Sequence, residues 1–275
     1  MFRKIFISLI PTLVLSSCVL PNKPVKVDQF SYGVFLGLEE EDLDKIIESK
    51  YSTVVIDAQY FSSESVQKIK DNNQTIYSYL NIGSIENFRP YYDQFQDLII
   101  GEYQHWEEER WIDVSAPRWQ NFVLNDLSVS ILNKGVDGLF IDNTDVFYEF
   151  DENISYFHGL NNMLTELKKR TYICINGGDI FVKRYLNQYG SLDPILDGVN
   201  QETVFSKINW EDNTFSENTR EEVNYYKEYV ETVAKTKKDV YLLEYTTDDN
   251  LKEKIASYCQ EKGFKYYISE SLELI

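Results

Sequence analysis

Residues 135–145 read Gly-Val-Asp-Gly-Leu-Phe-Ile-Asp-Asn-Thr-Asp. The segment 138–142 is short and almost wholly apolar, and it ends in a carboxylate. Such a segment is typical of a strand in a parallel sheet that is covered on both faces. Helical patterns flank it at 116–133, with Pro117 in the first turn, and at 153–169. The stretch therefore predicts a β-strand between two helices, with polar side chains at the carboxyl end of the strand.

The same unit occurs along the rest of the chain. Strand-like runs are predicted at 32–38, 52–58, 75–82, 138–142, 172–176, 198–202, 240–245 and 265–269. Helices are predicted after the first seven of them, at 39–49, 63–72, 116–133, 153–169, 180–188, 219–236 and 248–262. This order predicts an α/β fold, a single (β/α)8 TIM barrel over residues 31–275, with a long loop from 83 to 114. An open Rossmann-like sheet is the alternative, but no Gly-x-Gly-x-x-Gly follows a strand.

The first 30 residues have the character of a targeting segment. Arg3 and Lys4 precede an apolar run at 5–14 that is too short to span a bilayer, and Leu15-Ser16-Ser17-Cys18 follows. This end is similar to a bacterial lipobox. We therefore predict a lipoprotein signal peptide at 1–17, lipidation of Cys18, a lipidated tether at 18–30, and an extracytoplasmic protein anchored to a bacterial membrane. An ordinary secretory signal cut near Ser17 is the alternative.

The composition limits the classes of partner. The chain has 275 residues and a formal net charge of −18, from 27 basic and 45 acidic residues. So acidic a surface repels phosphate backbones, which argues against nucleic acid as a partner. The charge would attract a cationic ligand, or it serves only solubility. With two histidines and three cysteines in the chain, neither a metal site nor a histidine-dependent triad is predicted, and no cofactor is implied. Cys174 and Cys259 are predicted to be buried free thiols.

Polar and acidic residues follow most of the predicted strands. Active-site residues of such barrels stand at the carboxyl ends of the strands. Carboxylates that converge there raise one another's pKa, so that an acid and a base coexist at neutral pH, as cleavage of a glycosidic bond requires. The strand-end residues are Asp57, Glu86, Asp142, Asn143, Asp145, Asn176, Glu202, Glu244 and Tyr245.

Three motifs carry a resemblance to a known family. They are Tyr79-Leu80-Asn81-Ile82-Gly83-Ser84-Ile85-Glu86-Asn87-Phe88-Arg89-Pro90, Glu109-Arg110-Trp111-Ile112-Asp113-Val114 and the run 135–145. In spacing and order the chain resembles glycoside hydrolase family 114, the endo-α-1,4-polygalactosaminidase type, and the related hydrolase domains of Pel polysaccharide systems, across roughly residues 31–270. The resemblance implies that Asp142 is the nucleophile and Glu202 the general acid/base of a retaining mechanism, although the two roles could be exchanged.

The resemblance also implies the substrate, an exopolysaccharide of biofilms made of α-1,4-linked galactosamine or N-acetylgalactosamine. The enzyme is expected to cut this polymer at internal bonds. A deacetylated amino sugar is cationic, so clustered carboxylates would hold it. Substrate contacts are expected from Asp57, Glu86, Asn143, Asp145, Asn176, Glu244 and Tyr245, whereas Arg89 is expected to form an ion pair with Glu86. We expect a monomer. The alternatives are a catalytically silent polysaccharide-binding lipoprotein on the same barrel, and a two-lobed transporter lipoprotein.

Overall fold

Eight parallel strands form the centre of the molecule. The computed structural model describes residues 31–72 and 74–275. Strands β1–β8 span Tyr32–Phe35, Thr53–Ile56, Thr75–Asn81, Gly138–Asp142, Tyr172–Asn176, Gly198–Glu202, Asp239–Tyr245 and Lys265–Ser269. Each strand pairs with the next one in parallel register, and β1 lies beside β8. The predicted α/β barrel is thus confirmed as a nearly closed eight-stranded sheet. The signal peptide, Cys18 and the tether lie outside the described residues.

Helices surround the sheet because each has an apolar face that the strands cover. The main ones are Leu43–Glu48, Ser63–Asp71, Ile154–Lys168, Asp179–Tyr189, Arg220–Lys235 and Asp249–Lys262, and a continuous helical stretch is made of Pro117–Phe122, Val123–Leu127 and Ser128–Leu132. Short helical turns occur at Glu40–Asp42, Ala58–Tyr60, Tyr92–Gln94, Gln96–Leu98 and Val146–Glu149. In the part of the chain that is described, no helix has the length and apolar character needed to cross a membrane.

The segment predicted as a long loop is partly a sheet, so that prediction was wrong in part. Ser84–Glu86, Glu109–Ile112 and Ile99–Glu102 form an antiparallel three-stranded sheet. A second insertion after β6 forms the hairpin Ser206–Asn209 with Thr214–Glu217. These strands are short and, apart from the buried Ser84–Glu86, partly exposed, so they lack the continuous apolar run by which the barrel strands were found. Both insertions lie at the end of the barrel where the strands finish.

The opposite part of the barrel interior is filled by tyrosine rings. The rings of Tyr77 and Tyr172 stack with centroids 4.7 Å apart, and the rings of Tyr32 and Tyr241 lie 4.6 Å apart. Hydroxyl groups of this cluster bond to one another, as Tyr77 and Tyr241 do at 3.4 Å. Cys174 lies in the same cluster. Packed in this way, the interior is a core and not a pore, so a ligand would enter from the carboxyl ends of the strands.

The two cysteines of the described residues are buried and unpaired, as predicted. Cys174 is on β5 inside the barrel, and Cys259 lies in the helix Asp249–Lys262. Burial raises the pKa of the Cys174 thiol well above its usual range. Both thiols therefore act as small apolar core residues.

Candidate active site

A cleft of about 670 Å³ opens at the carboxyl ends of the barrel strands. Its size is within the range of small-ligand and sugar sites. It brings together eight of the nine polar residues selected from the sequence, namely Asp57, Glu86, Asp142, Asn143, Asp145, Asn176, Glu202 and Tyr245.

Asp142 and Glu202 face each other across the end of β5. Asp142 ends β4 and Glu202 ends β6, while Asn176 ends the strand between them. The amide nitrogen of Asn176 donates to Asp142 Oδ1 at 3.0 Å and to Glu202 Oε1 at 2.7 Å. Because both oxygens bind one nitrogen, these two atoms lie less than about 6 Å apart, as expected for a close carboxyl pair. The spacing is compatible with about 5–5.5 Å in retaining enzymes.

Buried hydrogen bonds fix the amide that joins the two carboxylates. Asn200 Nδ2 donates to Asn176 Oδ1 at 2.7 Å, and the hydroxyl of Tyr32 donates to Asn200 Oδ1 at 3.0 Å. Tyr32 and Asn200 are fully buried in the barrel. Tyr245 adds a second contact on Glu202, donating its hydroxyl to Oε2 at 2.9 Å. The side chain of Asn176 therefore has one orientation, with its nitrogen directed at both carboxylates.

The surroundings of the two carboxylates favour protonation. Burial raises the pKa of Asp142 well above its usual range, and the nearby charges of Glu109 and Glu202 raise it further, against the hydrogen bond from Asn176. Burial also raises the pKa of Glu202, while its bonds from Asn176 and Tyr245 lower it. Two close carboxyl groups repel each other when both are ionised, so these surroundings favour a state in which one of them holds a proton. The pair can therefore supply one acid and one base.

Glu109 belongs to this site, although it was not selected from the sequence as a site residue. Its Oε1 accepts hydrogen bonds from Asn81 at 2.9 Å and from Asn143 at 2.6 Å, and also from Ser84. Burial raises its pKa. The only sequence signal was its place at the start of the motif 109–114, since the inserted sheet is what carries Glu109 to the barrel mouth. It lines the cleft and fixes Asn143, the residue after Asp142.

Asp57 and Glu86 share one buried cation at the edge of the cleft. Arg89 Nη1 lies 2.7 Å from Asp57 Oδ2, and Arg89 Nη2 lies 3.0 Å from Glu86 Oε1. Tyr79 also donates to Glu86 Oε1, at 3.3 Å. The predicted Arg89–Glu86 ion pair is confirmed, and the structure adds Asp57 to it. The two carboxylates thus support the wall of the cleft through Arg89.

Glu244 is not brought into the cleft. It is fully buried, and it accepts hydrogen bonds from the backbone N–H of Phe205 at 3.1 Å and from Ser206, at 2.9 Å from N and 2.6 Å from Oγ. Successive side chains of a strand point to opposite faces, so Tyr245 reaches Glu202 while Glu244 faces the outer layer. Glu244 therefore holds the turn that follows β6, which corrects its expected contact with substrate.

Asp145 caps a helix beside the cleft. Both of its carboxylate oxygens lie 3.2 Å from the backbone nitrogen of Gly178, which precedes the helix Asp179–Tyr189. Gly178 has φ of 65°, and a Cβ there would overlap Thr144 Oγ1, so only glycine fits this turn. Burial, and then the charge of Asp179, raise the pKa of Asp145 to about 7.

This raised pKa predicts a pH dependence of stability. A folded-state pKa of about 7 against an ordinary 3.8 means that the folded protein keeps this proton longer than the unfolded chain. The protonated Asp145 carboxyl therefore adds to the free energy of unfolding in acid. This stabilisation is lost as the pH rises toward and through 7, because the folded state then holds a buried charge. As the pH rises from about 4 to about 8, the free energy of unfolding should fall less for Asp145→Asn than for the parent. We expect the two decreases to differ by on the order of 1–3 kcal/mol.

Urea unfolding at several pH values measures this difference. The exposed Asp97→Asn serves as the matched control, since Asp97 pairs with Arg118 at the surface. Parallel curves for Asp145→Asn and the parent would contradict the expectation.

The sequence is similar to a known enzyme family and to a curated relative. The sequence matches the family described as glycoside-hydrolase family GH114 over residues 19–272. An uncharacterized protein of Methanocaldococcus jannaschii is 23% identical over 264 residues, which cover 85% of this chain and 74% of that protein.

Solved structures share the barrel. The glycoside hydrolase domain of PelA from Pseudomonas aeruginosa is 16% identical, with a TM-score of 0.74 over 89% of this chain and 95% of that one. Ega3 from Aspergillus fumigatus, solved in complex with galactosamine, is 16% identical with a TM-score of 0.66, over 92% and 94%. An α-galactosidase from Thermus thermophilus is 10% identical with a TM-score of 0.58, over 86% and 57%. At these identities the likeness shows a common fold.

Proposed function

The chain belongs to glycoside-hydrolase family GH114, and we propose that this glycoside hydrolase cuts polymers of α-1,4-linked galactosamine and N-acetylgalactosamine. The sugar bound in the Ega3 structure supports an amino-sugar substrate. The carboxylates of the cleft support it too, because an unacetylated amino sugar carries a positive charge that they would attract.

One observation carries the mechanism: a single amide nitrogen, that of Asn176, binds both Asp142 and Glu202 at the floor of the cleft. In the proposed first step, Glu202 donates its proton to the glycosidic oxygen while Asp142 attacks the anomeric carbon. The C–O bond to the leaving sugar breaks, and a covalent glycosyl ester forms on Asp142.

In the second step the ester is hydrolysed. Glu202, now a carboxylate, removes a proton from water, and the resulting hydroxide displaces Asp142 from the anomeric carbon. Glu202 ends protonated and Asp142 ends ionised, as at the start. The stronger rise in the pKa of Asp142 favours the exchanged roles, which would follow the same two steps. Two displacements at one carbon retain the α configuration of the sugar.

An open cleft supports cutting within the polymer. The cleft adjoins a second cavity, since Tyr103, Trp106, Asp145 and Trp210 line both. A polymer could thus extend past the carboxylate pair instead of ending at it. We propose endo action on this basis.

The place of action is proposed from the sequence. Leu15-Ser16-Ser17-Cys18 supports cleavage before Cys18, lipid attachment to its thiol, and a position outside the cytoplasmic membrane where exopolysaccharide is met. Growth with a radiolabelled fatty acid tests this directly. Label on the parent and none on Cys18→Ala is the expected result, whereas an unlabelled parent would favour an ordinary secretory signal.

The activity itself is tested with the chain that starts after Cys18. The protein is incubated with partially deacetylated galactosaminogalactan, and new reducing ends and product lengths are followed. Release of mixed oligomers is expected from endo action, and monomers alone would indicate cutting from an end. No release by a folded protein would favour a silent polysaccharide-binding role on this barrel.

Asn176→Ala is expected to lower kcat by about 10²-fold, because the variant loses the donor that holds both carboxylates in place. Its pH–rate profile should also shift, since neither carboxylate is then stabilised by that hydrogen bond. Asn162→Ala, on the exposed side of the helix Ile154–Lys168, is the control for loss of an amide. An Asn176→Ala enzyme with kcat and pH profile like the parent would contradict this positioning role.

A further inference from the structure

A second cavity of about 510 Å³ lies beside the catalytic cleft. Its volume is within the range of carbohydrate-sized sites. It lies over the short helix Val146–Glu149 and the start of the helix Asp179–Tyr189. The carboxylate pair does not line it. The proposed mechanism therefore leaves this cavity without a role.

Aromatic contacts between the two insertions border both cavities. His105, in the loop of the inserted sheet, stacks on Trp210 in the hairpin that follows β6, with ring centroids 4.6 Å apart and planes 3° apart. Trp106 meets the same ring edge-on at 5.9 Å. These contacts, which we call the aromatic bridge, join two loops that are distant in sequence. Trp106 and Trp210 line the cavities on both sides of the bridge.

Exposed aromatic faces line the second cavity. Trp106, Tyr148, Trp210 and Tyr225 are 43%, 57%, 37% and 40% exposed. His105 covers one face of Trp210 and Lys183 lies over the ring of Tyr225, so Tyr148 and the free face of Trp210 are available to a ligand. Large aromatic side chains are usually much more buried than this. A flat ring offers its face to the C–H side of a sugar and attracts a cation.

The charges of the cavity are mostly negative. Glu149 and Asp179 line it, and so does Asp145, whose pKa of about 7 leaves it partly protonated near neutral pH. Lys183 offsets part of this charge, with Nζ 3.1 Å from Asp179. In the described ranges 31–72 and 74–275, the carboxylate of Glu149 has no ion pair or hydrogen bond, so it is free to meet an ammonium group.

We infer that this second cavity is a subsite for an unacetylated, cationic amino-sugar unit of a chain whose neighbouring units occupy the catalytic cleft. The inference rests on the proposed function, since it assigns the same polymer to both cavities. Rings of Tyr148 and Trp210 would stack on the sugar, and Glu149 would bind its ammonium group. An N-acetylated unit lacks that charge and would bind the subsite less well.

Binding is measured by calorimetry in a Glu202→Gln background, with α-1,4-linked galactosamine oligomers. Long unacetylated oligomers should bind more tightly than a disaccharide, because only they reach both cavities. Tyr148→Ala and Glu149→Gln, added singly, should each weaken binding of the long oligomer by about 3- to 10-fold and reduce its advantage over the disaccharide. Glu149→Gln should also reduce the preference over the N-acetylated oligomer.

Matched controls are Tyr189→Ala, an aromatic that is 46% exposed away from both cavities, and Glu228→Gln on the helix Arg220–Lys235. Both should bind like the background protein. Glu149→Gln keeps the side-chain shape, so it tests the charge even if Tyr148→Ala is unstable.

The outcomes separate the two proposals. If the parent hydrolyses the polymer and both subsite variants keep the parent's ratio of long to short affinity, the subsite is overturned and the function stands. If no oligomer binds and the parent releases no reducing ends, both fall. If oligomers bind with the expected ratios but the parent releases none, the subsite stands and the hydrolytic function falls.

Discussion

Asp142→Asn and Glu202→Gln are each expected to lower kcat/KM on the amino-sugar polymer by at least about 10³-fold. The first removes the attacking carboxylate, and the second removes the proton donor and base. Each change keeps the size of the side chain and so preserves the packing. The rate of reducing-end release measures both variants, and thermal unfolding shows whether they remain folded.

Alanine variants with added azide assign the two roles. In Glu202→Ala, azide should attack the glycosyl ester on Asp142 and give an α-glycosyl azide. In Asp142→Ala, azide should replace the missing nucleophile and give the β anomer. The opposite pattern would exchange the roles. If Asp142→Asn or Glu202→Gln kept activity within about tenfold of the parent, the assignment of that carboxylate would be contradicted.

Arg89→Met is expected to reduce the free energy of unfolding by about 3–5 kcal/mol, because it leaves two carboxylates buried without their cation. The side chains of Arg89, Asp57 and Glu86 are only 5%, 5% and 7% exposed. Methionine fills similar volume, so the loss reports mainly on the charge. Urea unfolding near neutral pH measures it.

Arg118→Met is the matched control. Arg118 pairs with Asp97, but these side chains are 54% and 66% exposed, and such pairs contribute less than about 1 kcal/mol. If Arg89→Met and Arg118→Met reduced the free energy of unfolding by similar amounts, burial of the Arg89 ion pairs would make no difference to their contribution to stability. The expected recovery in the triple change Asp57→Asn, Glu86→Gln, Arg89→Met provides a second check, since it removes the uncompensated charges.

The barrel could be predicted from local pattern because each strand is covered on both faces. Burial on two sides demands a continuous apolar run, and such runs are visible without knowledge of the neighbours. The ends of Gly138–Asp142, Tyr172–Asn176 and Gly198–Glu202 were found to the residue. The strands of the two insertions are only three or four residues long and most of them are partly exposed, so their pattern was not visible.

The candidate site shows the same division. The carboxyl ends of parallel strands meet at one end of a barrel, so the strand-end residues Asp142, Asn176 and Glu202 could be grouped from sequence alone. Sequence could not show that one nitrogen of Asn176 joins the other two, because that depends on strand stagger and on the Tyr32–Asn200 contact.

Side-chain direction decided the remaining cases. Glu244 and Tyr245 are adjacent in sequence, yet the alternation of a strand sends only Tyr245 to the cleft. Glu109 reaches Asn143, and His105 reaches Trp210, only because inserted loops fold over the barrel mouth. The sequence by itself determined the strands, their order and the end that carries the carboxylates, since burial and chain direction impose these locally. Tertiary structure alone decided which side chains meet, since contacts between distant segments leave no periodic trace in the sequence.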